Sequence, residues 1–472
     1  MPASLENNSL ITLYRSLNTS DTRRLGKWLD SPVHNQRDDV RALHAYLTTA
    51  NRLHKTAALE KTRLWKRLFP GTAFDDAKLR QTFHWALKAV EEFVAYEHWR
   101  QSRQNVQLDF VGGLRSRGLS AESTRGMKRA RKLITDGTNR NERYYRDLYR
   151  LELEHDEYRQ HHLLLEKPRF QEIADTLDLA YLIEKLKASW NMLFHQRIYR
   201  TEFDIRFLDE VIDYVKQFDL DQHPVLKIHY FGFLGLKEDD ASGRIIGQLR
   251  DAVARHGEKM PQSDRRYVIL MAINLCITNM NQGREPYVRE AFEWYRLGFG
   301  QDVIAEGGML TRATYLNVIS IALKLKEYDW ADRFINDFSH QLEEDIRDNT
   351  ERFARARLGY EQQDYDTIMP LLVQVDFKHP VYNLLAKTLL LKIYHELDEF
   401  DLLENQVDAM LTYVRRKKLS DLHRNNFNNI ARLTRQLARL APGRDKREAL
   451  REKITKTSPL SEKKWLLERI EG

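Results

Sequence analysis

The segment ELEHDEYRQHH, residues 152–162, gathers carboxylates and imidazoles at helical spacing. Glu152 and His155 stand at i, i+3, and Glu157 and His161 at i, i+4, a spacing with which helices of carboxylate-bridged bundles hold two metal ions. Such a centre needs a second Glu-x-x-His helix and two further glutamates. The chain contains no second Glu-x-x-His, so the segment reads as exposed polar helix surface and no metal or cofactor is expected. The chain also lacks a Gly-x-x-x-x-Gly-Lys-Ser/Thr loop, a His-Glu-x-x-His, a Cys-x-x-Cys and a Gly-x-Ser-x-Gly, the local signatures of nucleotide, zinc, redox and acyl-transfer chemistry. The single cysteine, Cys276, lies in an apolar run and reads as a buried, inert thiol. No residue pattern specifies a reaction or a small-molecule substrate, and a non-enzymatic protein is expected.

Two polar sets suit binding. Asn274, Asn317, Lys387 and Asn429 precede their following helix breaks by eleven to thirteen residues. In stacked helices such positions can line one wall, where amides grip the backbone of an extended peptide by donating and accepting together. Arg352, Arg355, Lys387 and Arg432 would attract its carboxylates, and Asn425, Asn429 and Arg432 share one side of their helix. The second set is NERYYRDLYR, which places Tyr145 and Tyr149 beside Arg146 and Arg150, and the basic run Arg415, Arg416, Lys417 and Lys418. Aromatics next to arginines can stack bases and hold phosphates; they can equally pack on a neighbouring helix while the arginines reach water.

The elements that would position these residues are helices. Gly (20) and Pro (11) are scarce in 472 residues, and charged residues reach 31% against 42% hydrophobic; helices avoid Gly and Pro, whereas sheets and irregular loops need them for turns. Three corners, Tyr328-Asp329, Tyr365-Asp366 and Phe400-Asp401, recur at intervals of 37 and 35 residues. That is close to the ~34-residue period of helix–turn–helix repeats, in which one pair of helices cannot bury its apolar faces alone. Each aromatic is expected to plug the junction of its helix pair, and the adjacent Asp to cap the second helix. His223-Pro224-Val225 and His379-Pro380-Val381 are a second echo, 156 residues apart, or four periods of 39. Proline suits the first turn of a helix, where its missing N–H has no partner to lose. A further corner is expected at Gly283–Tyr287. Ser461 is expected to cap a last helix bearing Trp465, Leu466 and Leu467, closing the array.

Charge is unevenly spread around a formal net +7. Residues 115–143 hold nine basic and three acidic side chains and residues 415–456 fourteen and four, whereas residues 326–366 hold twelve acidic and six basic. Such segregation serves acidic partners, nucleic acid among them, or simply solvates helix faces. The first residues lack a basic segment followed by a long apolar core, and no run approaches the ~18 apolar residues of a membrane span. A cytoplasmic protein without membrane attachment is expected. The glycines of GGLRSRGLSAESTRG, residues 112–126, suggest a flexible junction.

At the N-terminus, LDSPVHN (29–35), LWKRLFPG (64–71) and FDDAKLRQTF (74–83) resemble a bacterial all-helical family in which a Ser-Pro-x-x-Asn element precedes a Phe-Pro-Gly element. That family usually has an aromatic where this chain has His34. The resemblance spans residues 20–100 and implies helices without an assigned activity. Physically, Ser31-Pro32 and Pro70-Gly71 read as helix stops. The expected architecture is all-α: an N-terminal helical region (1–111), a junction with long amphipathic helices (112–200), and a tetratricopeptide-like right-handed α-solenoid with a capping helix (201–472). The expected function is a scaffold or adaptor for a protein or peptide; the alternative is a nucleic-acid-binding regulator using the basic segments near 115–150 and 415–456.

Overall fold

A computed structural model of the chain describes residues 5–161, 168–199, 201–440 and 444–471. Among them the structure is all-helical, with no β-strand. Two compact units form: residues 1–138 with 142–181, and residues 139–141 with 182–472.

The first unit contains α1 (Ser9–Ser16), α2 (Thr19–Asp30), α3 (Asp38–Thr48), α4 (Lys61–Leu68), α5 (Asp76–Gln101), α6 (Arg103–Arg115), α7 (Ser120–Thr135), α8 (Glu142–His161) and residues 170–181 of α9 (Phe170–Tyr199). The residues that carry the resemblance are structural here. Chain direction reverses after α2 because the buried Asn35 amide donates to the carbonyls of Leu29 (2.9 Å) and Arg37 (3.1 Å) and accepts from the Arg37 amide (3.1 Å). His34 stacks on Trp28 with centroids 3.5 Å apart, filling the place of an aromatic. After α4, Gly71 takes a left-handed φ of 76°, which only glycine adopts without strain, and the Trp65 indole donates to the Thr72 carbonyl. The expected flexible junction is instead a tight helical hairpin. Gly112 and Gly113 lie within α6 and Gly126 within α7, where a Cβ on Gly126 would stand 3.0 Å from Val111 and force it to shift. Close helix packing, rather than flexibility, is what these glycines provide.

The second unit stacks helices in neighbouring pairs as an α-solenoid. After α10 (Leu208–Val215) the pairs are α11 (Pro224–Lys237) with α12 (Arg244–His256), α13 (Gln262–Asn281) with α14 (Pro286–Gly300), α15 (Arg312–Lys324) with α16 (Tyr328–Phe338), α17 (Glu344–Glu361) with α18 (Tyr365–Val373), and α19 (Pro380–Glu396) with α20 (Phe400–Arg416). Then α21 (Asp421–Ala438) meets α22 (Arg444–Lys456) and α23 (Lys463–Glu471). First helices also touch one another, α11 with α13 and, in series, α15, α17, α19 and α21. Pro224 and Pro380 each open a first helix, four pairs apart.

The corners differ from expectation in what holds them. Three residues separate α15 from α16, α17 from α18 and α19 from α20. In each corner one residue is left-handed: Lys326 (φ 59°), Gln363 (61°) and Asp398 (55°). The next amide, of Glu327, Asp364 or Glu399, donates back to Ala322, Gly359 or Tyr394 at 2.9 Å. This pattern satisfies carbonyls that the ending helix leaves free. Gly283 (φ 84°) makes the same corner between α13 and α14. Asp329, Asp366 and Asp401 fall inside the first turn, where they complement the helix dipole; the only capping carboxylate at these three corners is that of Asp364, which accepts from the Thr367 amide. Nor are the aromatics deep plugs. Tyr328 and Tyr365 are half-buried and Phe400 is 42% exposed, whereas Ala331, Ile368 and Leu403, three residues on, are buried at 0–2%. A first-turn side chain points back past the helix end, while one three residues later faces the partner helix. Ser461 does not cap α23: Asn426 engages its amide and hydroxyl instead.

Packing in the second unit leaves two informative groups. Cys276 is fully buried, and burial pushes its thiol well above the usual range, as an inert core cysteine requires. His229 is also fully buried with neither ring nitrogen hydrogen-bonded, and burial together with nearby Lys187 pushes its pKa down to about 4 from 6.5.

These contacts yield two tests. Gly359→Ala places a methyl into Ile368 across the α17–α18 corner and is expected to destabilise by about 1–3 kcal/mol, whereas Phe400→Ala should stay within about 0.5 kcal/mol, both read by urea unfolding. Between pH 6.5 and about 4 the unfolded chain protonates His229 and the folded chain does not, so stability falls as pH falls through that window. His229→Leu should therefore lose about 2–3 kcal/mol less than the parent chain between pH 7 and pH 4; equal losses would show that His229 is not the group involved.

Candidate functional site

A cavity of about 300 Å³ opens on the layer of first helices, bounded by α15, α17 and α19. Leu316, Phe353 and Leu389 form its apolar floor, and Asn317, Ser320, Arg357, Tyr382, Lys392 and Glu462 supply polar groups. Arg357 reaches from α17 to α15, donating to the Ser320 hydroxyl at 2.6 Å. Among the described residues no carboxylate lies within ion-pair distance of it; burial lowers its pKa, and Glu462 and Glu361 oppose that from farther away. Lys392 meets the Glu462 carboxylate at 3.1 Å and sits over the rings of Tyr360 (4.6 Å) and Trp465 (5.6 Å). A partly desolvated ammonium between two aromatic faces gains from both ring quadrupoles.

Register explains which expected residues reach this cavity. Ser320, Arg357 and Lys392 each stand six residues before the left-handed residue of their corner. Asn274 and Asn317 stand nine before theirs, and both are exposed; Asn317 lines the cavity. Arg352 and Lys387 stand eleven before, which is two residues or about 200° around the helix from the Asn317 column. Lys387 accordingly lies over the Tyr413 ring on α20 (5.8 Å), turned away from the cavity, and Arg352 is half-buried outside the lining. Arg355 faces α16, bonded to Asn336 and paired with Glu351 (both 2.8 Å), with Asp332 at 3.7 Å. These three residues therefore do not form one wall with Asn274 and Asn317. The spacing of Asn274, Asn317, Lys387 and Asn429 to their helix breaks does not reach Arg357 or Lys392; the 37- and 35-residue intervals, applied to Ser320, lead directly to both.

On α21 the asparagines hold non-helical backbone, a run of bends and turns between α22 and α23, and that backbone is the chain's own. Asn429 donates to the Pro459 carbonyl at 3.0 Å. Asn426 accepts from the Ser461 amide at 2.7 Å and donates to its hydroxyl at 3.2 Å. Asn425 and Arg432 are exposed on the same helix. From Glu462 the chain enters α23, whose Trp465, Leu466 and Ile470 pack on Leu433, Leu437, Leu450 and Ile454. Glu396 fastens it, accepting from the Trp465 indole (3.0 Å), Arg469 (2.7 Å) and the Tyr360 hydroxyl (3.3 Å). Burial, with Glu396 beside it, raises the Tyr360 phenol above its ordinary range, so it donates rather than ionises.

The other candidates divide between the units. Tyr145 is 8% exposed, a core residue whose face no base can stack on, and Tyr149 is half-buried. Arg146 is exposed, and Arg150 pairs with Asp109 at 2.7 Å. Arg415 and Arg416 end α20 and Lys417 and Lys418 follow it, all four exposed, a favourable place for cations at a helix C-terminus, with Lys417 over the Tyr413 ring at 5.4 Å. The expected polar surface of residues 152–162 is partly core: Glu152 is 4% exposed and held by Arg131 and Arg169, and Asp156 is buried against Arg159 and Gln160. Among the described residues no group of His, Cys, Asp and Glu could hold a metal ion; His162 and the side chain of His161 lie outside them.

Glu396→Ala orphans the Trp465 indole and two further donors, a loss of about 1–3 kcal/mol at this joint. Amide exchange in α23 should accelerate roughly 10- to 100-fold with α13–α16 unchanged; unaltered protection would mean that the apolar cluster alone holds the helix. No family model, curated protein or solved structure matches the chain.

Proposed function

We propose that this chain is a non-enzymatic, tetratricopeptide-like scaffold or adaptor of the cytoplasm, which binds an extended polypeptide along its layer of first helices. The observation that carries this reading is the hold of Asn426 and Asn429 on the non-helical main chain at Pro459 and Ser461. Asn429 donates to a carbonyl and Asn426 accepts from an amide, contacts that any segment with a free backbone can make, while the Asn426 donor reads the Ser461 hydroxyl; the same surface therefore suits a segment of another protein. The neighbouring cavity adds an apolar floor with a few converging polar groups, the usual composition of a binding site. Among the described residues no helix is long and apolar enough to cross a membrane.

A nucleic-acid-binding regulator is the second reading, favoured by one observation: Arg415, Arg416, Lys417 and Lys418 are exposed, and among the described residues none is paired with a carboxylate. Phosphate contacts of that kind weaken steeply with salt.

Affinity purification from the native cell, with and without nuclease, separates the two readings. The adaptor reading expects a protein partner that survives nuclease and is lost from Arg357→Gln/Lys392→Gln while the circular-dichroism melt is retained. A partner that vanishes with nuclease, or one indifferent to the double substitution, would overturn it.

A further inference from the structure

Residues 457–462 connect α22 to α23 without helix, and side chains of the first-helix layer hold them as they would hold a ligand. Two asparagines bind the backbone at Pro459 and Ser461, and Lys392 binds the carboxylate of Glu462. We propose that the cavity over Arg357 and Lys392 is a carboxylate-binding subsite for an extended acidic peptide, and that residues 459–462 are its resident occupant, which the partner peptide must replace. This rests on reading the first-helix layer as a polypeptide-binding surface.

Three features support replacement over permanent closure. The polar contacts to residues 459–462 are three hydrogen bonds and one ion pair in which Lys392 and Glu462 keep 16% and 26% of their side-chain exposure, and the one apolar contact group is Leu460, partly buried against the α19–α21 cluster and the α21–α23 cluster. Bonds of this kind contribute little each, and the tether supplies the rest by holding the segment at millimolar effective concentration. The buried part of the solenoid's closing cluster is Trp465, Leu466 and Ile470 on Leu433, Leu437, Leu450 and Ile454, fastened by Glu396, with Leu460 only partly buried at its edge; lifting residues 459–462 withdraws Leu460 and leaves the α23 contacts in place. Finally, Glu462 pairs with one of the two cations only. Arg357 feels its charge without contact, and the cavity continues past it to Ser320 and Asn317. A peptide presenting a carboxylate to Lys392 and a second to the Arg357 guanidinium gains a charge-assisted, two-pronged bond that the resident segment does not make.

The test uses the full chain and, as probe, a fluorescein-labelled synthetic peptide copying residues 457–462, whose one charged side chain is Glu462. Glu462→Gln frees the subsite of its resident carboxylate, so the probe should bind this variant at least about 10-fold more tightly than the parent chain, by fluorescence anisotropy at low salt. Adding Lys392→Gln to Glu462→Gln should remove that gain, as should the same Glu-to-Gln change made in the probe. Trypsin cleavage after Lys456 and Lys463 should speed up in Glu462→Gln while the melting curve stays that of the parent. Equal affinity of the parent and Glu462→Gln chains, absence of binding to both included, overturns the proposal, as does unchanged cleavage. If the proposal is overturned while a cellular protein partner still requires Arg357 and Lys392, the groove reading stands alone; if the partner is indifferent to them as well, both readings fall.

Discussion

The second unit depends on one joint: a three-residue corner closed by a left-handed residue and two back-donated amide bonds. A helix that ends must satisfy its last carbonyls. Lys326, Gln363 and Asp398 accept a strained φ so that the following amides can do so. The joint fixes where the second helix starts and how it is rotated. It thereby sets which column of side chains on each first helix faces the layer surface. Apolar burial then locks the pairs: Leu403, Val407, Met410 and Val414 of α20 share one cluster with Leu384 and Leu391 of α19 and Phe427, Ile430 and Ala431 of α21. Each such side chain contributes about 1.5–3 kcal/mol, and none can be buried without the neighbouring pair.

Repetition of the joint brings functional groups into line. Ser320, Arg357 and Lys392 are far apart in sequence yet occupy one position of the repeat, and so they meet over a single cavity. The charge there is unevenly satisfied, since Lys392 has a carboxylate and two aromatic rings while Arg357 has a hydroxyl. An open solenoid end normally needs a cap. Here the cap, α23, and the segment whose Glu462 meets Lys392 at the cavity are consecutive stretches of chain held by largely separate contacts.

The first unit follows different physics. Its turns are organised by single side chains, above all Asn35, and its charge is partly internal: Glu152 and Asp156 are buried and neutralised by arginines. Burying such groups is costly unless they are paired, so several arginines of residues 115–159 that look available for phosphate in the sequence are already committed to carboxylates. The exposed basic run at the end of α20 is not.

Legible from sequence alone were the helical class, the pairing of helices from α13 to α20, the starts of α11 and α19, and the apolar closing helix, because these follow from local propensity, apolar periodicity and turn chemistry. The asparagine–backbone grip was legible in kind, since an amide's donor–acceptor pair is a property of the residue. What only the tertiary structure decided is which residues face one another. A two-residue difference in counting separates Lys387 from Asn317 by more than half a turn, and the left-handed joint that sets the true register carries no distinctive residue type: it is Lys, Gln, Asp and Gly at four corners. Sequence could not name the occupant of the α21 asparagines either, because the return of residues 459–462 to that helix is set by the docking of Trp465, Leu466 and Ile470, a burial term contributed by residues from three helices and visible only once those helices are packed.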